Sequence, residues 1–195
     1  MKMMFAALLV MACLLTGCNG NQGNSMQDSS GSTNDASISQ TDQMQSDEES
    51  TFPGTYTVPG GLVKSEVYST ADKIFYLQEG HEKDEQPDNI AINVGSNRYS
   101  LDEHPVFRDA ILQQLLMQLD GVKADLNGDG TYTEQGYVLY TFTIKESETG
   151  IVTKQYYIVD DHRYCLIQLT NYTGSERMDE AAETIVNSFV WSDLQ

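Results

Sequence analysis

Asp125-Leu126-Asn127-Gly128-Asp129-Gly130 is the densest group of ligand-type residues in the chain. Asp125, Asn127 and Asp129, with a glycine at the sixth position, follow the spacing of a calcium-binding loop, in which side-chain oxygens wrap a hard cation. The Thr131 carbonyl would fill position seven. Position twelve is Gly136, where such a loop needs a bidentate glutamate, and Glu134 stands two residues early. The flanks read as strands, and Asn-Gly and Asp-Gly are hairpin signals. A turn joining strands at 122–126 and 132–145 explains the same residues without a metal. Calcium held there would be bound weakly, at roughly millimolar extracellular levels.

The other reactive types are scattered. His81 lies among Glu82, Asp84 and Glu85 in an acidic loop, with no second histidine at a metal-ligand spacing. His104 precedes Pro105, where Ser100-Leu101-Asp102-Glu103 forms a capping box that starts a helix. His162 reads as a turn residue in Asp160-Asp161-His162-Arg163. Cys165 shares a strand face with Ile167 and Leu169 and behaves as a small buried hydrophobe, not as an exposed, electropositive thiol. No zinc-type H-E-x-x-H, nucleophile elbow or phosphate-cradling glycine loop occurs, and carboxylate pairs are expected by number alone among 29 acidic residues. These residues form no catalytic set.

The elements that must position them begin after a polar stretch. Strands are expected at 55–58, 73–77 and 89–94, with the turn Pro59-Gly60-Gly61 after the first. Phe107, Ile111, Leu115 and Leu119 recur every four residues and predict an amphipathic helix over 105–119, with Gly121 as its stop. After the strands at 122–126 and 132–145 come two more, at 151–159 and 164–170. Ser175 caps a second helix over 176–187, whose buried stripe is Met178, Ala182, Ile185 and Phe189. Tyr164, Leu166, Gln168 and Thr170 share one sheet face, mixing aromatic and polar groups as a binding surface does, unless a helix or loop covers it. Strands dominate, so the fold class is α+β: a mostly antiparallel sheet covered by two helices.

The N-terminus has a separate purpose. Lys2 and the apolar run 3–15 form a secretory leader, too short to span a bilayer, which takes about 20 apolar residues. The run ends in Leu15-Thr16-Gly17-Cys18, which resembles the lipobox of bacterial lipoproteins. That resemblance implies cleavage before Cys18 and a diacylglyceryl thioether on it, and two acyl chains suffice for stable anchoring. Residues 1–17 are then signal and 18–52 a tether. Its six acids (Asp28, Asp35, Asp42, Asp47, Glu48, Glu49), absence of lysine or arginine and Ser/Asn/Gln/Gly composition predict disorder, with a span of about 32 Å. Asn19 and the long polar tether suit a Gram-positive surface. Cys13 leaves with the signal, so Cys165 stands alone in the 53–195 domain and a disulfide framework is excluded. The mature chain keeps 29 acidic and 10 basic residues, a net charge of −19, which excludes nucleic acid and anionic lipid headgroups as partners.

The order of elements over 55–191 resembles the PsbP-like fold, named for an extrinsic oxygen-evolving subunit of photosystem II and seen also in a Ran-binding import factor. The resemblance rests on Thr55-Tyr56-Thr57-Val58-Pro59, on Pro87-Asp88-Asn89-Ile90, and on three C-terminal segments: Tyr156-Tyr157-Ile158-Val159, Cys165-Leu166-Ile167-Gln168-Leu169-Thr170 and Ile185-Val186-Asn187-Ser188-Phe189. None of these motifs is catalytic, so no active-site residue is implied. A cystatin-like cone is the competing architecture. The expected protein is a membrane-anchored, extracytoplasmic lipoprotein with a non-catalytic module for a protein or small ligand. Its alternatives are a hydrolase with an unorthodox carboxylate or histidine site and a calcium-dependent structural element of the envelope.

Overall fold

The computed structural model describes residues 52–192, so the expected leader, Cys18 and all but the last residue of the tether lie outside the described residues. Nine strands and two helices follow one another. They are β1 (Gly54–Thr55), β2 (Leu62–Lys64), β3 (Lys73–Gln78), β4 (Asn89–Ser96), α1 (His104–Gln118), β5 (Ala124–Tyr132), β6 (Val138–Glu146), β7 (Val152–Asp160), β8 (Arg163–Asn171), α2 (Glu176–Ser188) and β9 (Val190–Trp191). Seven strands form one antiparallel sheet in the order β2-β3-β4-β8-β7-β6-β5, and β1 pairs with β9. The class is α+β. Among the described residues, no helix is long and apolar enough to cross a membrane.

Alternation along the strands divides the apolar residues between two faces. Ile90, Ile92, Tyr156, Ile158, Cys165, Ile167 and Leu169 pack under Met178, Ala182, Ile185, Val186 and Phe189 from the α2 side. Tyr140, Phe142, Ile144, Tyr157, Val159, Tyr164 and Leu166 pack under Phe107, Ile111 and Leu115 of α1. The helices thus lie on opposite faces, where a cystatin-like cone would wrap a single helix. Tyr164 and Leu166 are therefore covered by α1, and only Gln168 and Thr170 of that stripe stay half-buried.

The capping box closes a single 3-10 turn, Leu101–Glu103, from which α1 continues at His104. The Glu103 carboxylate accepts the Ser100 backbone N–H and hydroxyl, each at 3.1 Å. Ser175 takes the N-cap position of α2, but its side chain makes no capping bond. Asn171 acts instead: its Oδ1 accepts the Gly174 and Ser175 N–H groups at 2.7 and 3.0 Å. Asp88, 2% exposed, closes the same corner by accepting the Tyr172 and Thr173 backbone N–H groups at 2.6 and 3.1 Å.

Three expectations are corrected. The strand expected at 55–58 is only Gly54–Thr55, because its partner β9 offers just two residues. Strand β2 was absent from the pattern; its three residues are too few for alternation to register and are recruited by pairing with β3. The largest correction concerns the Asn127-Gly128-Asp129-Gly130 turn. β5 runs straight through it, and the chain reverses at residues 133–137, where Gly136 has φ +86° and Thr133 N–H donates to Tyr137 O at 2.9 Å.

Candidate functional site

The register explains why two glycines sit within a strand. Gly128 faces Phe142 and Gly130 faces Tyr140 across the β5–β6 ladder. A Cβ on Gly128 would lie 3.1 Å from the Phe142 ring, and one on Gly130 would lie 2.9 Å from the Tyr140 ring. The glycines make room for two aromatic rings to lie across β5, and the hairpin signal was this packing requirement in another guise.

The same register sets the spacing of the cation-loop residues. Asp125, Asn127 and Asp129 occupy one face of an extended strand, so successive side chains start about 6–7 Å apart and do not wrap one ion. Among the described residues, no group of three or more His, Cys, Asp or Glu side chains is gathered for a metal.

What the fold brings together is a groove of about 600 Å³ between α1 and the β5–β6 pair. Leu112, Leu126, Val138 and Phe142 give it apolar walls, while His104, Arg108 and Tyr140 bring polar groups to it. His104, the first residue of α1, places Nδ1 2.6 Å from the Tyr140 hydroxyl. One helical turn on, the Arg108 guanidinium stands 5.8 Å from the Tyr140 ring centre, a cation–π distance. Its Nε and Nη2 both donate to Asp109 Oδ1, at 2.9 and 2.7 Å, which fixes the guanidinium plane. Burial pushes the Tyr140 phenol above the ordinary tyrosine range, and the Arg108 charge offsets that only in part. Tyr140 is thus a neutral hydroxyl at physiological pH, a hydrogen-bonding group and not a phenolate base.

The remaining predicted residues are dispersed. His81 lies in an exposed loop, with Nδ1 2.8 Å from Asp84 Oδ2. His162 is a turn residue as expected, with φ +56°; its backbone binds Tyr99 O and Asn97 N–H, seating the turn on the segment that launches α1. Cys165 is fully buried, and desolvation pushes its thiol far above the ordinary range, so it stays protonated and inert. His81 and His162 both lie outside the groove lining.

The sequence marks His104 only as the residue before a helix, and no motif marks Arg108, Leu112 or Tyr140 for a site. Each lies on an element that was foreseen, but their convergence depends on α1 crossing the sheet at β5 and β6. The one available signal was the pairing of Gly128 and Gly130 with aromatic residues, and it becomes visible only once the register is known.

Comparison with known proteins gives a narrow result. No family model matches the chain, and no curated protein matches it. Among solved structures, it is similar to the solution structure of cyanobacterial PsbP (CyanoP) from Synechocystis sp. PCC 6803. The two are 13% identical, the match covers 71% of this chain and 86% of that one, and the TM-score is 0.44. The likeness is one of backbone course, and no ligand, partner or activity comes with it.

Proposed function

We propose that the protein is a lipid-anchored, extracytoplasmic binding module without catalytic activity, and that the α1–β5–β6 groove is its ligand site. The observation that carries the proposal is the composition of that groove: apolar and aromatic walls with a few polar groups, Arg108 and His104, converging on one rim. Concave sites of this kind and volume hold ligands by apolar burial and are made selective by a small number of polar contacts. The polar groups present are hydrogen-bonding partners. The described cysteine is sealed in the core, and the tyrosine nearest the histidine is held protonated. Such a site grips a ligand rather than attacking it. The lipobox supports the anchoring half of the proposal, and the acidic tether would stand the domain off the membrane.

Thermal unfolding of the full chain against peptides, metabolites and cell-wall fragments tests the binding half. A true ligand at a hundred times its Kd adds about 2.7 kcal/mol, a shift of several degrees, and the paired substitutions R108A and L112S should abolish it. A shift that survives those substitutions would place the ligand elsewhere, and steady turnover of any fragment would defeat the non-catalytic half. For the anchor, Cys18→Ser should move the protein from the membrane fraction to the soluble fraction of an expressing bacterium. Retention in the membrane would overturn lipid attachment.

A further inference from the structure

The outer edge of β5 borders this groove, and its backbone is unusually open. The ladder to β6 runs through the odd-numbered residues. Ser147 N–H donates to Lys123 O at 2.8 Å at one end, and Thr133 N–H donates to Tyr137 O at 2.9 Å at the other. Backbone groups alternate in direction along a strand, so those of Leu126, Gly128, Gly130 and Tyr132 point away from the sheet. The Gly130 N–H bears this out: it donates to the Asp129 carboxylate at 2.8 Å instead of to a neighbouring strand. Edge strands are ordinarily blunted by shortness, lysine or proline. The opposite edge, β2, is three residues long and ends in Lys64. β5 is nine residues long, contains neither lysine nor proline, and is exposed from Asn127 to Tyr132.

Building on the groove as binding site, we propose that β5 accepts an extended peptide as the next strand of the sheet, with residues alternately apolar and basic. Side chains of Leu126 and Tyr132 lie on the α1 face of β5, so every second residue of an added strand would stand beside them and under the Arg108–Leu112–Leu116 stripe of α1. Leu116 and Tyr132, 55% and 66% exposed, leave apolar surface there for it to cover. The intervening residues would neighbour Asp125, Asn127 and Asp129 on the other face, where cross-strand pairing favours lysine or arginine. Strand addition would take the Gly130 N–H from Asp129 and release that carboxylate to a basic side chain. Charge also disfavours the two nearest rivals. A second copy pairing β5 against β5 would oppose two rows of aspartates, and the chain's own segment 19–51 carries six acids and no basic residue.

The experiment uses the full chain and a capped valine–lysine alternating peptide of the same length as β5. Binding is followed by calorimetry and by amide hydrogen exchange. The peptide should bind and slow exchange at Gly128 and Gly130. N-methylation of its ladder-side amides should weaken it about tenfold or more. A valine–glutamate peptide should fail, and the surface variant D125K/D129K should reverse that preference, with each effect shrinking at high salt. Binding that ignores N-methylation, or that protects amides away from β5, overturns strand addition. If the peptide fails while another ligand gives a shift abolished by R108A/L112S, strand addition falls and the groove remains the site; if no ligand gives such a shift, both fall.

Discussion

The two faces of the sheet are finished differently. On the α2 side, aliphatic residues of β4 and β8 meet Met178, Ala182, Ile185 and Phe189 in a sealed layer, with Cys165, Ile167, Leu169 and Ile185 at 0% exposure. On the α1 side, aromatic residues predominate, and α1 leaves a groove along β5 and β6 with exposed apolar residues beside it. The difference is between a face packed to completion and one left partly open. The α2 layer fixes the fold, whereas the α1 layer is packed near β7 and β8 and opens toward the sheet edge.

Truncation in the sealed layer should have the largest effect. Ile185→Ala should cost about 3–4 kcal/mol, measured by urea unfolding, because a fully buried side chain leaves a cavity that the surrounding strands cannot fill. A cost below about 1 kcal/mol would show that this layer is not the rigid one. Asp88→Ala comes next, at about 2–3 kcal/mol, since it strands the Tyr172 and Thr173 N–H groups at the corner that delivers α2. Asp88→Asn should recover part of that loss by keeping one acceptor oxygen.

Alkaline titration probes the aromatic layer. Burial raises the phenols of Tyr140, Tyr157 and Tyr164. The unfolded chain sheds these protons near pH 10. The folded state therefore holds more protons above that point, so stability is fully present below about pH 10 and falls as the pH rises beyond it. Tyr157→Phe, scored by chemical denaturation at several pH values, should flatten that fall; an unchanged slope would remove Tyr157 as a contributor.

The groove itself should be the most tolerant place. Tyr140→Phe removes the hydroxyl that meets His104 and should cost about 1 kcal/mol, and Leu112→Ala, at a half-buried position, about the same. Losses near those of Ile185→Ala would mean that the α1 layer is as tightly bound to the fold as the α2 layer, and the contrast between the faces would disappear.

Both helices were legible because their four-residue apolar spacing survives any tertiary arrangement: Phe107, Ile111 and Leu115 are buried, as are Met178, Ala182 and Ile185. The positions of β3, β4, β7 and β8, and the apolar face of β6, were likewise visible in apolar alternation. Asn127-Gly128-Asp129-Gly130 was misread because glycine has two uses that look alike in sequence. It permits a tight turn, and it leaves room for a ring from the next strand. Ser175 does take the N-cap position of α2, but a polar residue before a helix does not reveal that its side chain makes no capping bond and that Asn171 braces the turn before it.

The sequence by itself determined the α+β class, the two helices, the burial of Cys165 and the acidity of the chain, all properties of local period or composition. Tertiary structure alone decided that the helices take opposite faces, that Asp125 and Asp129 lie along an open edge, and that His104 and Tyr140 meet although 36 positions apart. Such meetings depend on strand register and on the path of α1 across the sheet, and both are set by contacts between residues distant in the chain.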